Sequence, residues 1–278
     1  MRDYHVHIER GPYTREWLEK FVEAGRRVGV FELGLVEHLY LFRESHGLLH
    51  NPYFAEKSGT RRELAGAPDL VGATLNRFAT FVTAAADSGL PVKCGLEVDY
   101  VPGAEEATNR LLKGLPLDFV IGSLHWLGDW GFDIDQGSWS GRSVEAAYRQ
   151  YYGTLAAAAE SGLFDIIGHP GNIAYFGHRP EAATMEEMEA GFFERARAAG
   201  VVLEVNTGGL LRPVGQTFPR SETWLRIRAA GIPIVVSSDA HHPDEVAHDF
   251  PLVHRMLKEA GFTEAVRFER RERVVVEF

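Results

Sequence analysis

Short apolar, β-branched runs alternate along this chain with longer segments whose apolar residues return at helical spacing. The runs are 2–8, 30–39 (VFELGLVEHL), 92–100 (VKCGLEVDY), 117–126 (LDFVIGSLHW), 164–170 (FDIIGHP), 201–207 (VVLEVNT) and 232–241 (IPIVVSSDAH), which predicts seven strands. Between them the spacing predicts helices near 14–28, 69–89, 103–113, 143–161, 184–199, 221–230 and 244–260. Several of these close on a glycine, at Gly29, Gly89, Gly162, Gly200, Gly231 or Gly261. Such alternation predicts a parallel sheet covered by helices. The tail 273–278 reads as an extra edge strand. The connection 40–68 exceeds the usual loop length, which marks it as a lid or binding loop.

At 278 residues the chain has room for two small domains or one large α/β barrel. No Gly/Ser-rich or Pro-rich linker divides it, so residues 1–278 are expected to form a single barrel domain. Hydrophobic residues make up 45% and charged residues 24%, which excludes disorder and fibrous repeats. A net charge of -10 argues against a nucleic-acid partner, because phosphate-backbone binders collect Lys and Arg. No run approaches the roughly 18 apolar residues of a membrane span, and the start lacks the apolar stretch of a signal peptide. The single Cys94 cannot form an internal disulfide, and a cytoplasmic location is expected. A homo-oligomer stays open.

Each predicted strand finishes in residues unsuited to an apolar core: His5 and His7, His38, Glu97 and Asp99, His125, His169, Asn206, then Asp239 and His241. In a parallel barrel the C-terminal strand ends open on one face, so these groups are expected to converge on a common pocket. Side chains two apart on a strand point the same way, which lets His5 and His7 share one centre, and Asp239 and His241 repeat the spacing. Imidazole with carboxylate suits Zn, Fe or Mn, and the lack of thiolates favours a catalytic site with open positions over a structural zinc site. For His46, His50, His242, His248 and His254 a surface or satisfied core role is expected.

With H-x-H at His5 and His7, Glu37-His38, Gly95-Leu96-Glu97, Ser123-Leu124-His125, Gly168-His169-Pro170, Glu204-Val205-Asn206 and Ser238-Asp239-Ala240-His241, the chain resembles the PHP family, named for polymerase and histidinol phosphatase. Its length and tail resemble the free-standing histidinol-phosphatase branch. The resemblance implies a distorted (β/α)7 TIM-like barrel with two or three divalent metal ions at the C-terminal strand ends. It implies that His5, His7, Glu97 and Asp239 hold one ion, that Glu97, His125 and His169 hold a second with Glu97 bridging, and that His38 and His241 hold a third. The chain departs from the wider family after H-x-H, where it reads Ile8-Glu9-Arg10, which leaves Glu9 as the substitute ligand.

The implied activity is metal-dependent hydrolysis of L-histidinol phosphate to L-histidinol and inorganic phosphate, in histidine biosynthesis, by a hydroxide that the metals generate from water. Asp239 or His241 would give the leaving group its proton. Arg179 and Arg212, just beyond strand ends, suit the substrate phosphate, with Arg43 and His46 as weaker candidates. Three alternatives differ in reaction. The chain could act on another phosphomonoester, a phosphodiester or nucleic acid. It could be an amidohydrolase-like enzyme, against which Lys93 sits at the wrong end of its strand. It could also be a metal-binding protein without turnover.

Overall fold

A computed structural model of the protein describes residues 1–45 and 73–278. The predicted lid at 40–68 therefore falls largely outside the described residues, as do His46, His50 and the first positions of the predicted 69–89 helix. Of that connection, Leu39–Leu41 and Arg43–Ser45 are described, each a single 3-10 turn.

The strands in chain order are β1 (Arg2–Val6), β2 (Glu32–Leu35), β3 (Val92–Asp99), β4 (Phe119–Ser123), β5 (Trp126–Leu127), β6 (Trp130–Gly131), β7 (Ile166–Ile167), β8 (Val202–Asn206), β9 (Ile234–Ser237), β10 (Glu264–Glu269) and β11 (Glu272–Glu277). Seven of them form one sheet in the order β1-β2-β3-β4-β7-β8-β9, all pairs parallel. The ring closes where Val6 bridges Ala240, with His7 N–H donating to the Ala240 carbonyl at 2.8 Å. The result is a nearly closed seven-stranded α/β barrel.

Helices α1 (Arg15–Arg27), α2 (Leu75–Asp87), α3 (Glu105–Leu112), α4 (Val144–Glu160), α5 (Ala182–Ala199), α6 (Trp224–Ala229) and α7 (Phe250–Glu259) lie in the order the periodicity predicts. Thr14, Thr74 and Ser143 cap α1, α2 and α4 by accepting a hydrogen bond from the backbone three residues on, which satisfies one N–H that helical geometry leaves free. The six predicted stop glycines all take positive φ, between 70° and 90°. Residues 244–260 do not form one helix. A 3-10 turn covers Pro243–Glu245, and the left-handed Ala247 and Asp249 delay α7 until Phe250.

Two apolar layers hold the barrel. Tyr4, Val36, Phe119, Ile121, Ile166, Val202, Val235, Val266 and Phe268 form one buried cluster, and a much larger one joins strands to helices. Val266 and Phe268 come from the β10–β11 hairpin. The tail forms a strand, as its sequence predicts, and its partner is β10, antiparallel, in a two-stranded sheet apart from the barrel ring. Phe268 N–H donates to the Tyr4 hydroxyl at 3.1 Å, and Arg270 N–H to Asp118, just before β4, at 3.1 Å. The hairpin therefore closes the N-terminal end of the barrel.

Phe119 is fully buried and fills its place only because Gly95 and Gly34 present no side chain to it. A Cβ at Gly95 would stand 2.4 Å from the Phe119 ring. Gly95→Ala is expected to cost about 1–3 kcal/mol through overpacking, read as a lower urea midpoint with an unchanged slope.

Candidate metal centre

The C-terminal strand ends converge as the sequence pattern requires. Glu97, near the end of β3, is 1% exposed and sits at the middle of the group. Its Oε2 lies 3.5 Å from His5 Nε2, 3.4 Å from His7 Nε2 and 2.6 Å from His38 Nδ1. Its Oε1 lies 3.0 Å from His169 Nε2 and 3.6 Å from His125 Nε2. Asp239 Oδ1 faces two of the three imidazoles around Oε2, 3.5 Å from His5 and 3.6 Å from His7, and is 3.4 Å from His241 Nε2. All eight predicted metal-site residues are thus brought together around two carboxylates.

The local backbone differs from the simple strand argument. β9 stops at Ser237, and Asp239 adopts φ 55°, so Asp239 and His241 are not alternate residues of one extended strand. His169 lies beyond the two-residue β7 with φ 29°. Left-handed backbone at residues with a Cβ costs on the order of 1–3 kcal/mol and collects where function demands a fixed side-chain direction. Asp3 helps to hold the turn: its buried carboxylate accepts hydrogen bonds from Ser238 N–H at 2.9 Å and Ala247 N–H at 3.1 Å, and burial lifts its pKa to about 6.

Carboxylates stand behind the imidazoles: sequence reasoning assigned Glu204 no role, and it placed Asp99 among the converging groups and Glu9 as a substitute ligand rather than as supports. Glu204, fully buried in β8, takes His5 Nδ1 at 2.7 Å and also accepts from His169 N–H, the Ser237 hydroxyl and Asn206 Nδ2. Asp99 takes His125 Nδ1 at 2.9 Å, and Glu9 takes His241 Nδ1 at 2.7 Å. A carboxylate on Nδ1 fixes the tautomer and turns the Nε2 lone pair inward, the usual support for a metal-ligating histidine. Glu9 therefore stands behind His241. Asn206, counted among the strand-end groups, instead bonds Glu204.

Electrostatics follow from this packing. Burial and the neighbouring His241 and His38 imidazoles push His7 well below the usual histidine range, so its ring is neutral. Burial works against the charge on Glu97, yet His38, His5 and His125 hold its carboxyl well below the usual range. His5 is raised: burial opposes its charge, but Glu204, Asp239 and Glu97 outweigh that.

The residues present fit bound cations. Glu97 Oε2 is buried and receives no properly directed hydrogen bond although three ring nitrogens surround it. His5 Nε2 and His7 Nε2 face each other at 3.0 Å, so both nitrogens are turned to the same point beside Glu97. Donor atoms of His5, His7 and Glu97 lie within 4.8 Å of one another, as do those of Glu97, His125 and His169. His7, His38 and His241 form a third such group, which adds His7 to the pair expected there. Nitrogen and oxygen donors of this kind suit a divalent metal ion.

Arg179 and Arg212 sit on loops beyond β7 and β8. The loops are tied together where Val214 N–H donates to the Tyr175 carbonyl at 3.1 Å and Arg179 donates to the Gln216 amide oxygen. Arg179 is exposed, and the Arg212 guanidinium lies 5.8 Å from the Tyr175 ring centre. Neither makes an ion pair with the central carboxylates. Gly208 and Gly209 mark a tight turn: a Cβ would stand 2.6 Å from the Ser238 carbonyl and 2.2 Å from the Gln216 carbonyl, respectively. His242 is exposed, and His254 bonds the Phe250 carbonyl of its own helix.

A barrel of this topology with imidazoles and acids gathered at the C-terminal strand ends has the donor set of a divalent-metal centre. A family model described as the PHP domain matches residues 3–208, and the chain belongs to the PHP family. A Deinococcus radiodurans protein named "Probable histidinol-phosphatase" is 36% identical over 174 residues, covering 62% of this chain and 66% of that relative, just under two thirds of its length. The "Histidinol-phosphatase" of Lactococcus lactis subsp. lactis is 24% identical over 279 residues, 96% of this chain and 93% of the relative. A crystal structure of histidinol phosphate phosphatase from Lactococcus lactis subsp. lactis, complexed with zinc, L-histidinol and phosphate, shares the fold with a TM-score of 0.70 at 21% identity, over 98% of each chain.

Proposed function

We propose that this chain is a metal-dependent phosphomonoesterase that hydrolyses L-histidinol phosphate to L-histidinol and inorganic phosphate. The observation that carries the reading is Glu97, whose two oxygens face two separate sets of imidazoles. Such an arrangement would hold two ions, one on each side of the carboxylate. His5, His7, Glu97 and Asp239 would hold one, Glu97, His125 and His169 the other, and His38 and His241, with His7, a third. Zinc, iron and manganese all suit these donors. When bound, the ions supply an acidified water as nucleophile and polarise the phosphoryl oxygens. The choice of alcohol is supported by the names of the relatives and by the ligands of the Lactococcus structure.

The chain's own residues would do the rest. Arg179 and Arg212 would meet the phosphate with planar, forked donors. With its Nδ1 taken by Glu9, His241 has one nitrogen, Nε2, for either role. In the state where it does not hold the third ion, it would be the proton donor to the departing alkoxide, in preference to Asp239. Burial opposes its charge, but Glu9 and Asp239 raise its pKa to about 9, whereas His5 and His241 keep Asp239 well below the usual carboxylate range against the effect of burial. A cytoplasmic setting is supported by the lone, buried Cys94. No helix among the described residues is long and apolar enough to cross a membrane.

The test is phosphate release. Protein stripped with a chelator should release no phosphate from histidinol phosphate, and readdition of zinc, manganese or iron should restore it. Chelator-indifferent hydrolysis, or activity confined to other esters, would overturn the reading.

A further inference from the structure

The β5–β6 hairpin carries an acid that the centre does not use. β4 ends at Ser123, His125 follows, and the chain then folds back on itself, Trp126 pairing with Gly131 and Leu127 with Trp130. The hairpin ends at Gly131, and Asp133 stands in the turn that follows, near enough to His125 and Tyr151 for its charge to act on both.

Asp133 is half-buried, and its Oδ1 is fully buried with no hydrogen-bond partner among the described residues. No Lys, Arg or His of the described residues forms an ion pair with it. It is not held by His125, whose Nδ1 belongs to Asp99 and whose Nε2 faces Glu97. Nor is it held by the nearby Tyr151 hydroxyl, which bonds Asn172 at 2.8 Å and Gly171 N–H at 2.9 Å. Its charge still reaches both His125 and Tyr151. Phe132, its neighbour in sequence, meets Tyr151 edge-on at 5.5 Å, and Trp130 of the same hairpin meets Trp139 at 4.8 Å. Trp139 in turn stacks on His178 at 4.6 Å, next in sequence to Arg179. The acid thus belongs to a wall that runs from His125 to the loop of the candidate phosphate-binding arginine.

A buried carboxylate oxygen without a partner is costly unless a cation arrives to meet it. L-Histidinol phosphate carries such a cation, an ammonium group beside the carbon that bears the ester. We propose that Asp133 is a specificity-determining residue that receives the ammonium group of an amino-alcohol phosphate ester while the phosphate lies over the metal centre. The assignment rests on the phosphatase reading above and extends it to the alcohol half of the substrate.

The experiment compares wild type with Asp133→Asn, which keeps the shape and removes the charge. Each metal-loaded protein is assayed on histidinol phosphate and on 4-nitrophenyl phosphate, which has no ammonium. The ratio of the two kcat/KM values should fall roughly 10- to 100-fold in the variant, mostly through KM, as expected for loss of a hydrogen bond to a charged group. L-Histidinol should also weaken as a product inhibitor by a similar factor. A merely structural role would lower both activities together, and an unchanged ratio overturns the assignment of Asp133 alone. A wild type that hydrolyses 4-nitrophenyl phosphate but not histidinol phosphate overturns instead the function proposed in the preceding section.

Discussion

Glu97→Gln should yield a folded barrel that has lost its chemistry. The substitution changes almost no volume at a site that is 1% exposed, so the packing of β3 against β2 and β4 should survive. What disappears is the one charge that both imidazole sets share. Oε2 serves His5, His7 and His38, and Oε1 serves His125 and His169. An amide offers one oxygen and one NH2 group, and the latter repels a cation. Metal content by elemental analysis should drop, and phosphate release should fall by at least about 10²-fold, the scale of losing one organising charge at a reacting centre. Wild-type turnover with a full complement of metal in this variant would remove Glu97 from the centre.

Glu204→Gln should act one layer further out and show in two measurements. Its four donors are His5 Nδ1, His169 N–H, the Ser237 hydroxyl and Asn206 Nδ2, all aimed at a carboxylate that is 0% exposed. An amide there turns one acceptor into a donor that faces other donors. Removing one side of a buried charged network costs about 3–5 kcal/mol, to be read by urea unfolding of chelator-stripped protein so that bound metal does not mask the loss. Metal affinity should weaken about 10- to 100-fold because His5 is no longer held in its inward tautomer. Stability and affinity both equal to wild type would mean that Glu204 orients nothing.

The contrast between Glu97 and Glu204 explains what could be read before the fold was known. Period-two and helical patterns placed all seven barrel strands, because a sheet buried on both faces writes its apolar runs directly into the chain. The inward-facing candidate ligands were legible for the same reason: His5, His7, Glu97 and His125 interrupt or end those runs. Glu204 also interrupts a run, but its role depends on a partner 199 residues away. Glu9 meets His241 across 232 residues, and Glu37 holds Ile8 N–H across 29. Closure of the barrel makes those pairs, and periodicity carries no record of which strands will meet. The tail was legible only in part, for a related reason. A run such as RVVVEF announces a strand but not its neighbour, and the hydrogen bonds of β11 went to β10. At Asp239 the spacing of two pointed to the right residues by an argument that the left-handed backbone does not obey.

The β10–β11 hairpin closes the N-terminal end of the barrel, where Tyr4, Phe119, Val266 and Phe268 fill the end opposite the candidate metal centre. On the proposed phosphatase reading, an ester bound over that centre would stand between the ions and solvent. Substrate should therefore slow the loss of metal to a chelator.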